Sequence, residues 1–288
     1  MSLSPINRRT ILLAVCTGMC TILAGCVSGV GNERAQLTAP SQVSQIYSHA
    51  NLQLKLAISP AGPECAEAEC VQYSEFDHRV SQVGARLALA AYQVYPSLAE
   101  RVPALEFSVA DKTEPGTAST AGGQVVVLRP VSTLVTSDEA LSFVIAREMG
   151  HIIGQHHEEN TAFSMLTSVV TTILAPVAKV AKLLASFSSG ISAAGASAAV
   201  TAGSFAGSQM LIESYRPKQR EEADDIAIAL LKPLGYQPAR VAAGFSQQEL
   251  KAPGRWVREL HASVQRLAAQ DAQPDAVLGL VAERRPPL

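Results

Sequence analysis

The sequence has 288 residues, enough for one large domain or two small ones. Its 23 Lys and Arg against 25 Asp and Glu give a formal net charge of −2, which leaves no electrostatic footprint for nucleic acid. The five cysteines are few, and Cys16, Cys20 and Cys26 all lie near the N-terminus.

Arg8 and Arg9 are the only charges in residues 1–25. An apolar run from Ile11 to Leu23 follows, too short and too rich in small residues for a mature membrane span. It ends in Leu23-Ala24-Gly25-Cys26, which resembles the bacterial lipobox. That resemblance implies a signal peptide over 1–25 and a lipid, palmitate among the acyl chains, on Cys26. Removing 25 residues leaves 263 and takes the formal net charge from −2 to −4, because two arginines leave. Arg8-Arg9-Thr10-Ile11-Leu12 also resembles a twin-arginine export signal. Val27 stands where an aspartate would retain such a lipoprotein at the inner membrane, so the outer membrane is favoured. The expectation is an envelope lipoprotein facing the periplasm, with the membrane as its first partner.

Residues 26–63, with Pro40, Pro60 and Pro63, read as a lipidated tether and an irregular lead-in. The main domain is expected over 64–272. Cys65 and Cys70, five residues apart in an exported chain, read as a local disulfide; metal ligation is the second reading, without another Cys or His pair close by. From Phe76 the positions Val80, Val83, Leu87, Leu89 and Tyr92 fit a helix. Leu105–Val109 reads as a strand, Asp111–Thr120 as turn-rich, and Val125–Leu128 as a second strand behind Gly122-Gly123. Thr136 and Glu139 make a capping box for the next helix. Leu141, Val144, Ile145, Met149 and Ile152 give it a buried stripe, and it is expected to continue through His156 and His157, cations near its C-terminal end.

Residues 160–212 form a small-residue zone in which only Lys179 and Lys182 are charged. They read as helices packed on the body or as a cover over a cleft. Gly190, Gly195, Gly203 and Gly207 count against a stable membrane hairpin. A helix follows over about 219–232, ended by Pro233, Gly235 and Pro238, and a last one over about 254–270. Residues 273–288 read as a loose tail.

Three groups of residues carry the chemistry. Asp138-Glu139-Ala140-Leu141 and Val144-Ile145-Ala146 lead into Glu148-Met149-Gly150-His151, with His156 five residues further. Glu222-Ala223-Asp224, Leu230-Leu231 and Gly235-Tyr236-Gln237-Pro238 follow in order. His261 and Arg266 come late. From Phe76 to Leu267 the chain resembles the forty-eighth metallopeptidase family, which includes HtpX, the CAAX prenyl proteases, BepA and LoiP. The resemblance implies an α+β fold of gluzincin type: a mainly helical domain with a small β-sheet beside the cleft. It implies zinc held by two histidines of H-E-x-x-H and a glutamate from a second helix. Glu148 would be the general base, Asp224 would orient a ligand histidine, His261 would serve the reaction, and the valines after Gly122-Gly123 would lie beside the substrate.

The departures fall on the metal. Arg147 stands where the family has its first ligand histidine, and Arg220 where it has the ligand glutamate. Of the three ligands only His151 remains. A guanidinium has no lone pair to offer at any working pH. The family's Asn before the Gly-Gly strand is also missing, and the region reads Gly116-Thr117-Ala118. Two arginines would restore the two positive charges of the metal. At about 5 Å apart they would repel by roughly 3 kcal/mol at an effective dielectric near 20, so carboxylates must balance them. The expectation is an arginine–carboxylate network in which Glu148 pairs with an arginine and Asp224 pairs with Arg220 one turn away.

Three functions are compatible with this pattern. The first is a pseudopeptidase without cofactor that holds unfolded envelope proteins or a partner by strand addition. The second is an active zinc endopeptidase with shifted ligands, Glu221 and Asp225 repeating the Glu-x-x-x-Asp spacing. A one-residue shift turns a side chain by about 100 degrees, away from the old site. The third is a structural scaffold.

Overall fold

A computed structural model describes residues 26–28, 35–174, 216–246 and 254–271. The chain divides into two compact units: residues 1–44 with 155–216, and residues 45–154 with 217–288. The signal-peptide reading of 1–25, most of the 160–212 zone and the 273–288 tail lie outside the described residues.

The described part of the first unit is small. A short antiparallel hairpin pairs β1 (Cys26–Ser28) with β2 (Ala35–Leu37). Helix α5 (His156–Leu174) packs against β2, and the Ala39 amide donates to the Glu158 carbonyl at 3.0 Å. Among the described residues no helix is long and apolar enough to cross a membrane.

The second unit is built round one helix, α4 (Asp138–Ile153). Every residue from Ala140 to Ile153 is buried, so the helix is enclosed on all sides rather than along the one expected stripe. Helix α2 (Glu67–Val94) covers it with Phe76, Val80, Val83 and Leu87, at the spacing read in the sequence. Leu89, read as part of that stripe, is 67% exposed, because it falls on the opposite face. Asp138 ties the two helices further through Arg79 and Arg86. Helix α6 (Pro217–Leu231) lies against α4 at close range. A Cβ on Gly150 would stand 2.5 Å from the Ala223 carbonyl oxygen, so this crossing has room only for glycine. Helices α3 (Leu98–Arg101), α7 (Pro238–Ala243) and α8 (Arg255–Asp271) complete the body.

Three strands form one sheet in the order β3 (Glu106–Ala110), β5 (Gln124–Leu128), β4 (Thr117–Ser119). β3 runs parallel to β5 and β4 antiparallel to it. Val125 and Val127 face the core around α4, whereas Val126 and Leu128 face away. The α+β architecture is therefore the expected one.

Several local expectations change. Residues 41–58, read as irregular, form an 18-residue helix, α1 (Ser41–Ile58). It has no proline inside it, and the prolines that suggested irregularity, Pro40 and Pro60, stand outside its two ends. The turn-rich stretch 111–120 contains β4. The valine strand β5 is central in the sheet, and β3 and β4 take its edges. The cap of α4 is Ser137, whose hydroxyl accepts the Ala140 amide at 3.2 Å. Thr136 is occupied elsewhere, pairing with the Gly244 carbonyl through both its amide and its hydroxyl. α4 also stops at Ile153. Gly154 closes it, Gln155 takes a left-handed φ of 56°, and His156 opens α5. His156 and His157 therefore stand at a helix N-terminus, not at a C-terminus. The cation at the end of α4 is Arg101, which donates to the Ile152 and Ile153 carbonyls. Cys65 and Cys70 form a disulfide with Cα atoms 5.2 Å apart, at the start of α2.

Candidate functional site

Helices α4, α6 and α8 and strand β4 bring the candidate residues together within the second unit. Gly150 and Ala223 set the spacing. Because their backbones touch, side chains one turn before them on α4 and one residue after on α6 reach each other. Arg147 and Asp224 are those side chains. The Arg147 Nε–H donates to Asp224 Oδ1 at 2.6 Å, and both side chains are 7% exposed. Arg266 of α8 donates to the other oxygen, Oδ2, and also to the Ser263 hydroxyl at 3.1 Å. One carboxylate thus joins three helices. An arginine–carboxylate cluster is present, but its second arginine is Arg266 and not the expected Arg220.

Arg220 turns outward along α8. It meets Glu259 at 3.2 Å, and Glu259 also takes Arg255 one turn earlier at 3.0 Å. The expected Arg220–Asp224 pair is not what holds Asp224. Asp224 is buried, while Arg220 lies at the half-buried margin of the same helix.

Among the described residues Glu148 has no arginine partner. Its side chain leaves α4 about 100 degrees from that of Arg147 and points at the sheet. Thr117 donates to Oε1 at 2.5 Å and Ser119 to Oε2 at 2.9 Å, and the Trp256 indole N–H donates to the Thr117 hydroxyl at 2.9 Å. Thr117 and Ser119 are alternate residues of β4, so both hydroxyls leave the same face of the strand. The carboxylate that would act as general base is clamped to the edge strand.

His151 is buried one turn after Arg147. His261 is exposed on α8. Glu221 and Asp225, the shifted ligands of the zinc alternative, are both exposed, as the 100-degree rotation requires, whereas Glu222 is 5% exposed. The Asp225 carboxyl is pushed above its usual range, first by desolvation and then by the charges of Asp224 and Glu221, with Arg266 opposing.

Peptidase family M48 matches over residues 115–275, more than half of the chain and both central motifs. The chain belongs to peptidase family M48. No curated protein matches it. Family M48 is usually zinc-dependent, and the side chains at this site do not fit that metal. Arg147 and Arg220, the positions that the resemblance assigns to two of the ligands, carry guanidinium groups, and both are ion-paired. Among the described residues no three His, Cys, Asp or Glu side chains converge as a metal would need.

Thr117, Ser119, Trp256 and Glu259 were not among the residues singled out from the sequence. Trp256 is the only tryptophan in the chain, the one signal that could have marked it.

Proposed function

We propose that this M48 protein is a pseudopeptidase of the cell envelope that binds extended polypeptide segments without cleaving them. The observation that carries the reading is the buried Arg147–Asp224 ion pair at 2.6 Å, made by a cation at a position where the family holds zinc. Asp224 would orient a ligand histidine in an active relative; here it neutralises the arginine that replaced that histidine. Glu148 supports the same reading, because both of its oxygens already accept hydroxyl hydrogen bonds. What remains is a sheet with an edge strand beside the former catalytic helix, a surface suited to strand addition. The Leu23-Ala24-Gly25-Cys26 lipobox supports anchoring by lipid on Cys26, with the outer membrane favoured, and clients among envelope proteins.

The test is metal analysis and casein assays on full-length protein purified without added zinc. The expected result is far less than one zinc per chain, no chelator-sensitive cleavage, and measurable binding of fluorescein-labelled casein. Arg147→His combined with Arg220→Glu, with His151, should supply three donors and bind zinc where the parent does not. Stoichiometric zinc in the parent, with proteolysis lost on Glu148→Gln, would overturn the pseudopeptidase reading. Fractionation of Cys26→Ser tests the anchor: the variant should leave the membrane fraction and lose lipid labelling.

A further inference from the structure

The outer edge of β4 is not bare. Leu128 N–H donates to Gly116 O and Thr120 N–H to Gln124 O, so the even-numbered residues of this stretch pair with β5. The backbone groups of Thr117 and Ser119 therefore point away from β5, along the edge that an added strand would use. Helix α1 lies there. Ser48, Leu52 and Lys55 follow at helical spacing and share one face. Ser48 Oγ accepts the Ala121 amide at 2.9 Å. Leu52 is 3% exposed and packs on Val126 and Leu128, with Leu56, Ala110 and Ala118 around it. Lys55 Nζ donates to the Thr117 carbonyl oxygen at 3.0 Å. The contacts run 48 to 55 on the helix against 121 to 117 on the strand, so α1 is antiparallel to β4. Seven helical residues advance about 10 Å and four strand residues about 13 Å, a difference that the long lysine stem covers.

We infer that α1 is a strap across the edge of β4, and that Lys55 holds the carbonyl which an incoming peptide strand must take. The inference rests on the peptide-binding reading above and adds its control. Leu52 seats the helix on the face of the sheet away from α4. Lys55 reaches round the edge to an acceptor that strand addition needs free. A peptide N–H and the lysine ammonium compete for one oxygen. Lys55 is an exposed residue, so its release costs no buried charge.

The experiment measures binding of fluorescein-labelled casein by anisotropy to the full chain and three variants. Lys55→Met removes the donor and keeps the apolar stem. Lys218→Met removes an exposed lysine on α6 as a charge control. Ser119→Pro removes the outward-pointing amide of the edge and also the hydroxyl that donates to Glu148. A thermal melt checks that each variant folds. Lys55→Met should bind about twofold to tenfold more tightly than the parent, the range expected for one hydrogen bond relieved. Lys218→Met should match the parent, and Ser119→Pro should bind weakly. Equal binding by parent and Lys55→Met overturns the strap and leaves peptide binding standing. An equal gain in Lys218→Met also overturns it, assigning the effect to net charge. Binding by neither parent nor Lys55→Met overturns both readings.

Discussion

At the candidate site two carboxylates each sit between two arginines. Asp224 takes Arg147 and Arg266, and Glu259 takes Arg220 and Arg255. In each cluster one arginine stands at a position that the family resemblance assigns to a ligand. The surroundings differ. The Arg147 and Asp224 side chains are each 7% exposed, whereas those of Arg220 and Glu259 are 23% and 25% exposed. The two arginines therefore sit in different environments. Arg147 is a buried cation that the fold must neutralise. Arg220 is a marginal cation whose partner lies in reach of water. Ion pairs gain little at the surface, and their loss is severe only where a charge is left buried without its counter-charge.

That contrast can be broken by mutation. Asp224→Ala strips Arg147 of its ionic partner, and chemical denaturation should show a loss of about 3–5 kcal/mol. Arg147→Met should cost less, about 2 kcal/mol, because Asp224 keeps Arg266 and the thioether fills part of the space. Equal losses for the two variants would mean that Arg266 does not hold Asp224. Glu148→Gln should cost roughly 1–2 kcal/mol, since one amide oxygen still accepts a hydroxyl and the other hydroxyl must turn to accept instead. Glu259→Gln should stay below about 1 kcal/mol, and its effect should fade in molar salt while that of Asp224→Ala persists. A loss from Glu259→Gln as large as that from Asp224→Ala would erase the distinction between the clusters.

The smallest effect concerns pH. The Asp225 carboxyl is raised in the folded protein from its ordinary 3.8, chiefly by desolvation. An acid with a raised folded pKa costs stability where it is ionised. That cost is present at neutral pH, is relieved as pH falls through the raised folded value, and is gone below the unfolded value. Asp225→Asn should therefore stabilise at pH 7 by a few tenths of a kcal/mol, small because the residue is exposed, and should do nothing at pH 3. Melting both proteins at the two pH values checks the sign.

The long elements were legible because burial imposes periodicity. Val80, Val83 and Leu87 on α2, and Ala223, Ile226, Ala227 and Leu230 on α6, all face the core as spaced. β4 was not legible. Thr117-Ala118-Ser119 is three residues long, and its strand state comes from pairing with β5 rather than from its own propensity. The break at Gly154-Gln155 hid behind a non-glycine residue in the left-handed region. In the site, the sequence pointed to Arg147, Arg220, Glu148 and Asp224 but paired them by proximity along α6. An arginine four residues before an aspartate is the weaker orientation of a helical pair, and tertiary partners took both. Glu259, Trp256 and the β4 hydroxyls come from segments that meet only after folding, and nothing local marks them.

Gly150 and Ala223 put the two motif helices in backbone contact. The crossing is thus set by the absence of a side chain at position 150. Helix spacing of that kind is written into the backbone, so the side chains on either side of the crossing can change without moving the axes that carry them.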